Sequence, residues 1–235
     1  MAATIYLVRH GQASFGAADY DHLSPLGQEQ GAAVGELLRS RGVHLDHVVC
    51  GSLRRHRQTA AACLAAFAGL SDGATAEPII DEGWNEFDHV ELLTRFEPRY
   101  VDQAAIAADL AKASKIGTAL REIFAKAVER WTGGEFDAEY RETWAQFGAR
   151  CRGALERVIA ATPPNGNAVV FSSGGVIGTV AGALLGLDPR AAFALQWNIV
   201  NASITRLRTG SRGAFVVTLN EHQHLEHQSH LVTAR

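Results

Sequence analysis

The chain has 235 residues, 47% hydrophobic and 20% charged, an ordinary globular composition that excludes a disordered polymer. Its 22 Lys and Arg against 25 Asp and Glu give a formal charge of −3 with no basic block. The chain therefore lacks the electrostatic footprint expected of a partner for nucleic acid or an anionic membrane.

The first element is an apolar run, Thr4 to Arg9, that reads as a buried strand. A helix is predicted over Ser24 to Arg39, with Ser24 as N-cap and Pro25 at its first position. His47 to Cys50 is a second strand, and Leu53 to Phe67 a helix ended by Gly69. Thr75 to Ile80 is a short third strand. Helical stretches follow, including Ile116 to Trp131 and Ala138 to Ala161, with no strand pattern among them. Pro163-Pro164-Asn165-Gly166 breaks this run. Ala168 to Ser172 is a buried strand and Gly175 to Leu185 a helix, with Asp188-Pro189 as a stop. Two alternating strands, Ala202 to Arg208 and Ala214 to Asn220, close the pattern around a glycine-containing turn.

Helices interleaved with apolar strands imply an α/β fold, a three-layer sandwich on a mixed, mostly parallel sheet. The helices between the third and fourth strands read as an inserted cap over residues 90–150, within one domain spanning 1–235. Cys50, Cys63 and Cys151 are odd in number and lack metal-ligand spacing, so buried, reduced thiols are expected. With no secretory pattern before Ile5 and no apolar run long enough to span a bilayer, a cytoplasmic location is expected. His222, His224, His227 and His230 do not match a known ligand spacing and read as a polar tail rather than a metal site. Trp131, Trp144 and Trp197 read as packing residues.

The chemistry begins where the first strand ends. Arg9-His10-Gly11 places a fixed cation, a nitrogen nucleophile and close backbone access at a strand's carboxyl end, where open α/β sheets gather their ligands. Those parts can grip and attack a phosphoryl group.

Arg9-His10-Gly11 resembles the signature of the histidine phosphatase superfamily, which contains phosphoglycerate mutases and many acid phosphatases. Leu23-Ser24-Pro25-Leu26-Gly27 with Gln30 is similar to the family's helix entry. Leu53 to Ala60 resembles its Leu-x-Arg-x-x-Gln-Thr-Ala stretch, with Arg55 as the matching arginine. Trp84-Asn85-Glu86-Phe87-Asp88 is similar to its Leu-x-Glu segment, Val169 to Ile177 to its late strand-turn-helix, and Asn220 to Leu225 to its closing Asn-x-x-x-His-Leu. The late turn departs from the family pattern: where that pattern reads Ser-His-Gly-Gly, this chain reads Ser172-Ser173-Gly174-Gly175.

The resemblance implies a metal-independent phosphatase acting on a small phosphomonoester without a cofactor. His10 would be the phosphorylated nucleophile, and Arg9 and Arg55 would clamp the phosphate. Glu86 would be general acid and then base, with Glu82 as its rival. Ser173, Gly174 and the neighbouring Gly175 amide would add phosphate contacts. A serine at position 173 supplies no charge, a loss of roughly 10- to 100-fold in rate that His222 or His224 could offset. Two other readings stay open: a non-catalytic relative that binds a phosphorylated ligand or partner, and a phosphoglycerate-type mutase.

Overall fold

The computed structural model describes residues 2–14, 21–69, 77–112, 116–211 and 213–234. In chain order the strands are β1 (Thr4–Arg9), β2 (His47–Cys50), β3 (Ile79–Ile80), β4 (Asn167–Ser172), β5 (Ile204–Gly210) and β6 (Gly213–Glu221). The helices are α1 (Pro25–Ser40), α2 (Arg54–Leu64), α3 (His89–Phe96), α4 (Gln103–Ala111), α5 (Ile116–Thr132), α6 (Trp144–Ala161), α7 (Gly174–Leu184), α8 (Pro189–Leu195) and α9 (Gln223–Glu226).

The strands form one sheet in the order β3-β2-β4-β1-β5-β6. The pairs β1–β4, β2–β4 and β2–β3 are parallel, while β5 runs antiparallel to β1 and β6 antiparallel to β5. The sheet is mixed and mostly parallel, as the strand pattern implies. β1 and β4 are central, and each has five buried residues, which explains their largely apolar character. Tyr6 and Val8 pack with Val169, Phe171, Val34, Leu38, Ala60 and Cys63 against α1 and α2. Ile5 and Leu7 point the other way and are equally buried.

The chain divides into two compact units. One comprises residues 1–86 and 150–235, and the other Phe87–Ala149, which enters the sequence between β3 and β4. The first unit holds the sheet. The second centres on Phe87, Trp131, Trp144 and Phe147, whose ring centroids lie 5.2 to 5.8 Å apart. There Arg141 bonds Asp88 at 2.6 Å and Glu91 at 3.2 Å, and Trp131 Nε1 donates to the Glu142 carbonyl at 2.8 Å. Trp131 and Trp144 therefore serve packing, in line with their sequence context.

Some boundaries differ from the sequence reading. The helix expected from Ala138 starts at Trp144, because Thr143 and Gln146 form a reciprocal cap: Thr143 N donates to Gln146 Oε1 at 2.8 Å and Gln146 N to Thr143 Oγ1 at 3.2 Å. The helix before Asp188-Pro189 ends at Leu184, as expected of a stop, and the same pair also opens α8, since Asp188 Oδ1 accepts from Ala191 N at 2.9 Å with Pro189 in the first turn. The strand expected from Ala202 begins at Ile204, because Ala202 sits at φ 57° with its N–H donated to the carbonyl of Arg9. Of the third strand, only Ile79–Ile80 is a strand, and 75–76 lie outside the described residues.

The cysteines Cys50, Cys63 and Cys151 are buried and free, and burial pushes the Cys50 and Cys63 thiols up to about 12. Among the described residues no helix is long and apolar enough to cross a membrane, and no cluster of His, Cys, Asp and Glu could hold a metal ion.

Candidate active site

Three parallel strands bring the site residues together. Arg9 and Ser172 are register partners at the carboxyl ends of β1 and β4, and Cys50 of β2 pairs with Phe171. Just beyond, His10 N donates to the Ser172 carbonyl at 2.8 Å and Gly51 N to the Phe171 carbonyl at 3.1 Å. His10, Gly51 and Ser173 are thus neighbours although they are far apart in sequence.

His10 is 4% exposed, so its ring sits at the edge of the interior. Its Nδ1 lies 2.7 Å from the Gly11 carbonyl, which can only accept, so that nitrogen carries the proton. The lone pair is left on Nε2. Burial, then the Arg55 and Arg9 guanidiniums and His56, hold the imidazole well below its ordinary value of ~6.5. The ring is neutral at neutral pH. Asn201 Nδ2 donates to the His10 carbonyl at 3.2 Å and fixes the backbone behind it.

Arg9 and Arg55 are both 8% exposed. Arg9 Nη1 donates to the Ile199 carbonyl. Arg55 lies on the face of α2 that buries Arg55, His56, Thr59, Ala60 and Cys63, a set at helical spacing. Arg54 and Arg57 turn to solvent. Thr59 ties that face to the end of β1: its Oγ1 accepts from Gly11 N at 3.0 Å and donates to the Arg55 carbonyl at 2.7 Å. Arg55 Nη1 bonds Asp21 Oδ1 at 2.7 Å, and Arg54 N donates to Asp21 Oδ2 at the same distance.

Gly11 is required by close approach. A Cβ there would lie 2.3 Å from the Gly27 carbonyl oxygen, and one at Gly27 would lie 2.3 Å from the Gln12 oxygen. The loop after β1 and the first turn of α1 are interlocked, backbone on backbone. Ser24, whose Oγ accepts from Gly27 N at 3.1 Å, opens that helix, and Gln30 holds Gln12 N at 2.7 Å.

Glu86 closes the group from the β3 side. Its Oε2 accepts from Gly175 N at 3.0 Å, at the first turn of α7. The segment before it is pinned: Arg157 grips Asp81 bidentately at 2.8 and 2.9 Å, and Ser172 Oγ donates to the Trp84 carbonyl at 2.7 Å. Arg150 Nη1 reaches the carbonyls of Glu82, Gly83 and Asn85 at 2.8 to 3.2 Å. Glu82, the rival carboxylate, is exposed. The Gly175 amide, placed near phosphate by the resemblance, donates to Glu86 in this structure. Gly174 lies beside Arg9, its would-be Cβ 3.5 Å from Arg9 Nε.

The histidines considered as substitute cations lie in other bonds. His224 Nε2 is 3.1 Å from the Ala202 carbonyl, and burial lowers its pKa to about 4, so it carries no charge at neutral pH. His222 Nδ1 bonds the Asn220 carbonyl at 2.7 Å, and its other nitrogen is 3.4 Å from Glu226. Sequence reasoning missed His56 altogether. This residue is fully buried, its Nε2 is 2.6 Å from Ser173 Oγ, and its ring centroid is 5.7 Å from that of His10. The available signal was its place next to Arg55 on the buried face of α2.

The profile of the histidine phosphatase superfamily, branch 1, matches residues 5–115 and 116–222. A broad-specificity phosphatase of Saccharomyces cerevisiae is 38% identical over 66 residues, which cover 26% of this chain and 29% of that protein. The crystal structure of phosphoglycerate mutase from Bacillus anthracis superposes with a TM-score of 0.65 at 17% identity, covering 95% of each chain. A phosphoserine phosphatase variant from Entamoeba histolytica, crystallised with phosphoserine, gives 0.62 at 18% identity, covering 95% of this chain and 99% of that one. These two structural likenesses are likenesses of fold.

Proposed function

The chain belongs to the histidine phosphatase superfamily, and from that premise we propose that it hydrolyses a small phosphomonoester through a phosphohistidine at His10. The observation that carries the reading is the state of His10: Nδ1 is tied to the Gly11 carbonyl and Nε2 left bare, beside two guanidiniums. A neutral imidazole with its lone pair on one defined nitrogen is a competent nucleophile at neutral pH.

In the first step Nε2 attacks phosphorus while the bond to the leaving oxygen breaks. Glu86, protonated, gives its proton to that oxygen. In the second step water attacks the phosphohistidine, Glu86 takes the water's proton, and inorganic phosphate leaves with His10 restored. Arg9 and Arg55 hold the equatorial oxygens and oppose their charge, and Ser173 and Gly174 line the same group of residues. Glu86 suits the acid role better than Glu82 because it sits at the α7 terminus among these residues, whereas Glu82 is exposed. The charges that matter are supplied by side chains, so the scheme uses neither metal nor cofactor.

The partner is a small phosphorylated molecule, and hydrolysis of aryl phosphates tests the reading. His10→Ala and Arg55→Ala are each expected to remove nearly all turnover, while full activity in His10→Ala rules the mechanism out. A binding-only relative would instead retain phosphate affinity with no turnover in the wild type.

A further inference from the structure

Ser173 stands at the N-cap of α7, where a serine hydroxyl ordinarily accepts from an amide in the first helical turn. Here it makes no such bond. One of those amides, Gly175 N–H, goes to Glu86, and the Ser173 Oγ is turned to His56 Nε2 at 2.6 Å. A carboxylate has taken a first-turn amide, which leaves the hydroxyl available for another task.

His56 is built into place. Its side chain is fully buried, and the opposite nitrogen, Nδ1, has no hydrogen-bond partner among the described residues. The ring fits only because residue 51 is glycine: a Cβ there would lie 2.3 Å from His56 Nδ1 and 2.9 Å from Asn85 Oδ1. A buried N–H without an acceptor is rarer and more costly than a bare acceptor, so the single proton belongs on Nε2. Nε2–H therefore donates to Ser173 Oγ. The Ser173 hydroxyl proton is then free to point elsewhere, and the site around His10 is next to it.

We propose that His56 is a positioning residue that orients and polarises the Ser173 hydroxyl, so that Ser173 donates to a phosphoryl oxygen during transfer to His10. The inference rests on the phosphatase reading above. Chained donors strengthen one another, so a hydroxyl that accepts from an imidazole N–H donates more strongly than one left to rotate. No covalent step is added, and His56 keeps its proton throughout.

The test is a double-mutant cycle on aryl phosphate hydrolysis. Ser173→Ala and His56→Ala are each expected to lower kcat by about 10- to 100-fold with little change in KM, the size of one hydrogen bond to a charged group. The double variant should be no slower than Ser173→Ala alone. His56→Gln, which carries an N–H near the Nε2 position, should recover most of the rate. Losses that multiply in the double variant, or a His56→Ala protein as active as wild type, would overturn the proposal. Nitrogen NMR of the folded wild type decides the orientation without any variant: His56 should be protonated on Nε2 and bare on Nδ1, and the reverse tautomer refutes it. A wild type with no phosphatase activity defeats the functional reading instead, whereas an active wild type with an indifferent His56 defeats this inference alone.

Discussion

Lowering the pH from about 7.5 to about 5.5 should cost this protein stability, because it folds around imidazoles whose burial opposes protonation. His10 and His56 are held well below the ordinary value, first by burial and then by Arg55, and burial brings His224 to about 4. A group whose folded pKa is depressed in this way stabilises the fold above the unfolded value of ~6.5, and loses that contribution as pH falls below it. Across this interval the unfolded chain gains nearly one proton per histidine, and the folded chain gains fewer because these rings resist protonation. For His224 the difference is worth on the order of 1 kcal/mol, and His10 and His56 add to it in the same direction. His47, lowered less by partial burial, adds in the same sense. Urea unfolding followed by circular dichroism in phosphate-free buffers measures the difference. His224→Asn should reduce the pH dependence whatever its own effect on stability. An unfolding free energy that is flat between these two pH values would refute the burial argument. So would a His10 resonance that titrates near ~6.5 in the folded protein.

Glu86→Gln should slow hydrolysis of an alkyl phosphate far more than that of an activated aryl phosphate, because only the poor leaving group needs its proton. Glu82→Gln should change neither, and steady-state rates on the two substrates decide between them. Gly11→Ala forces a methyl group to within 2.3 Å of the Gly27 carbonyl oxygen, so it should lower the melting temperature by several degrees and abolish activity together. Arg150→Ala removes the donor shared by the Glu82, Gly83 and Asn85 carbonyls that hold the Glu86 segment. It should lower kcat about tenfold or more without impairing phosphate binding, as product-inhibition measurements would show.

The strands and most helices were legible because local physics decides them. β1 and β4 are buried on both faces and so read as largely apolar runs, and Ser24-Pro25 carries its helix start in its own chemistry. Asp188-Pro189 was read only as a helix stop, because a proline follows one helix and begins the next with equal ease, and the Asp188 bond to Ala191 N that opens α8 is visible only in the structure. Ala202 misled because its left-handed backbone is imposed by a bond to the neighbouring strand's end, not by its side chain. In the candidate site, Arg9, His10, Arg55 and Glu86 were proposed from ordered motifs. His56 was not, because its partner Ser173 lies 117 positions away and no local pattern links a helix histidine to a strand-end serine. The commitment of the Gly175 amide to Glu86 was hidden for the same reason, being a contact across 89 positions.

The most direct measurement is intact mass of the protein mixed rapidly with an aryl phosphate and quenched in alkali, where phosphohistidine survives. The account predicts a transient species heavier by one phosphoryl group, mapped to His10 and missing from His10→Ala. Turnover with no such species, or a phosphoryl group carried on any other residue, would contradict it.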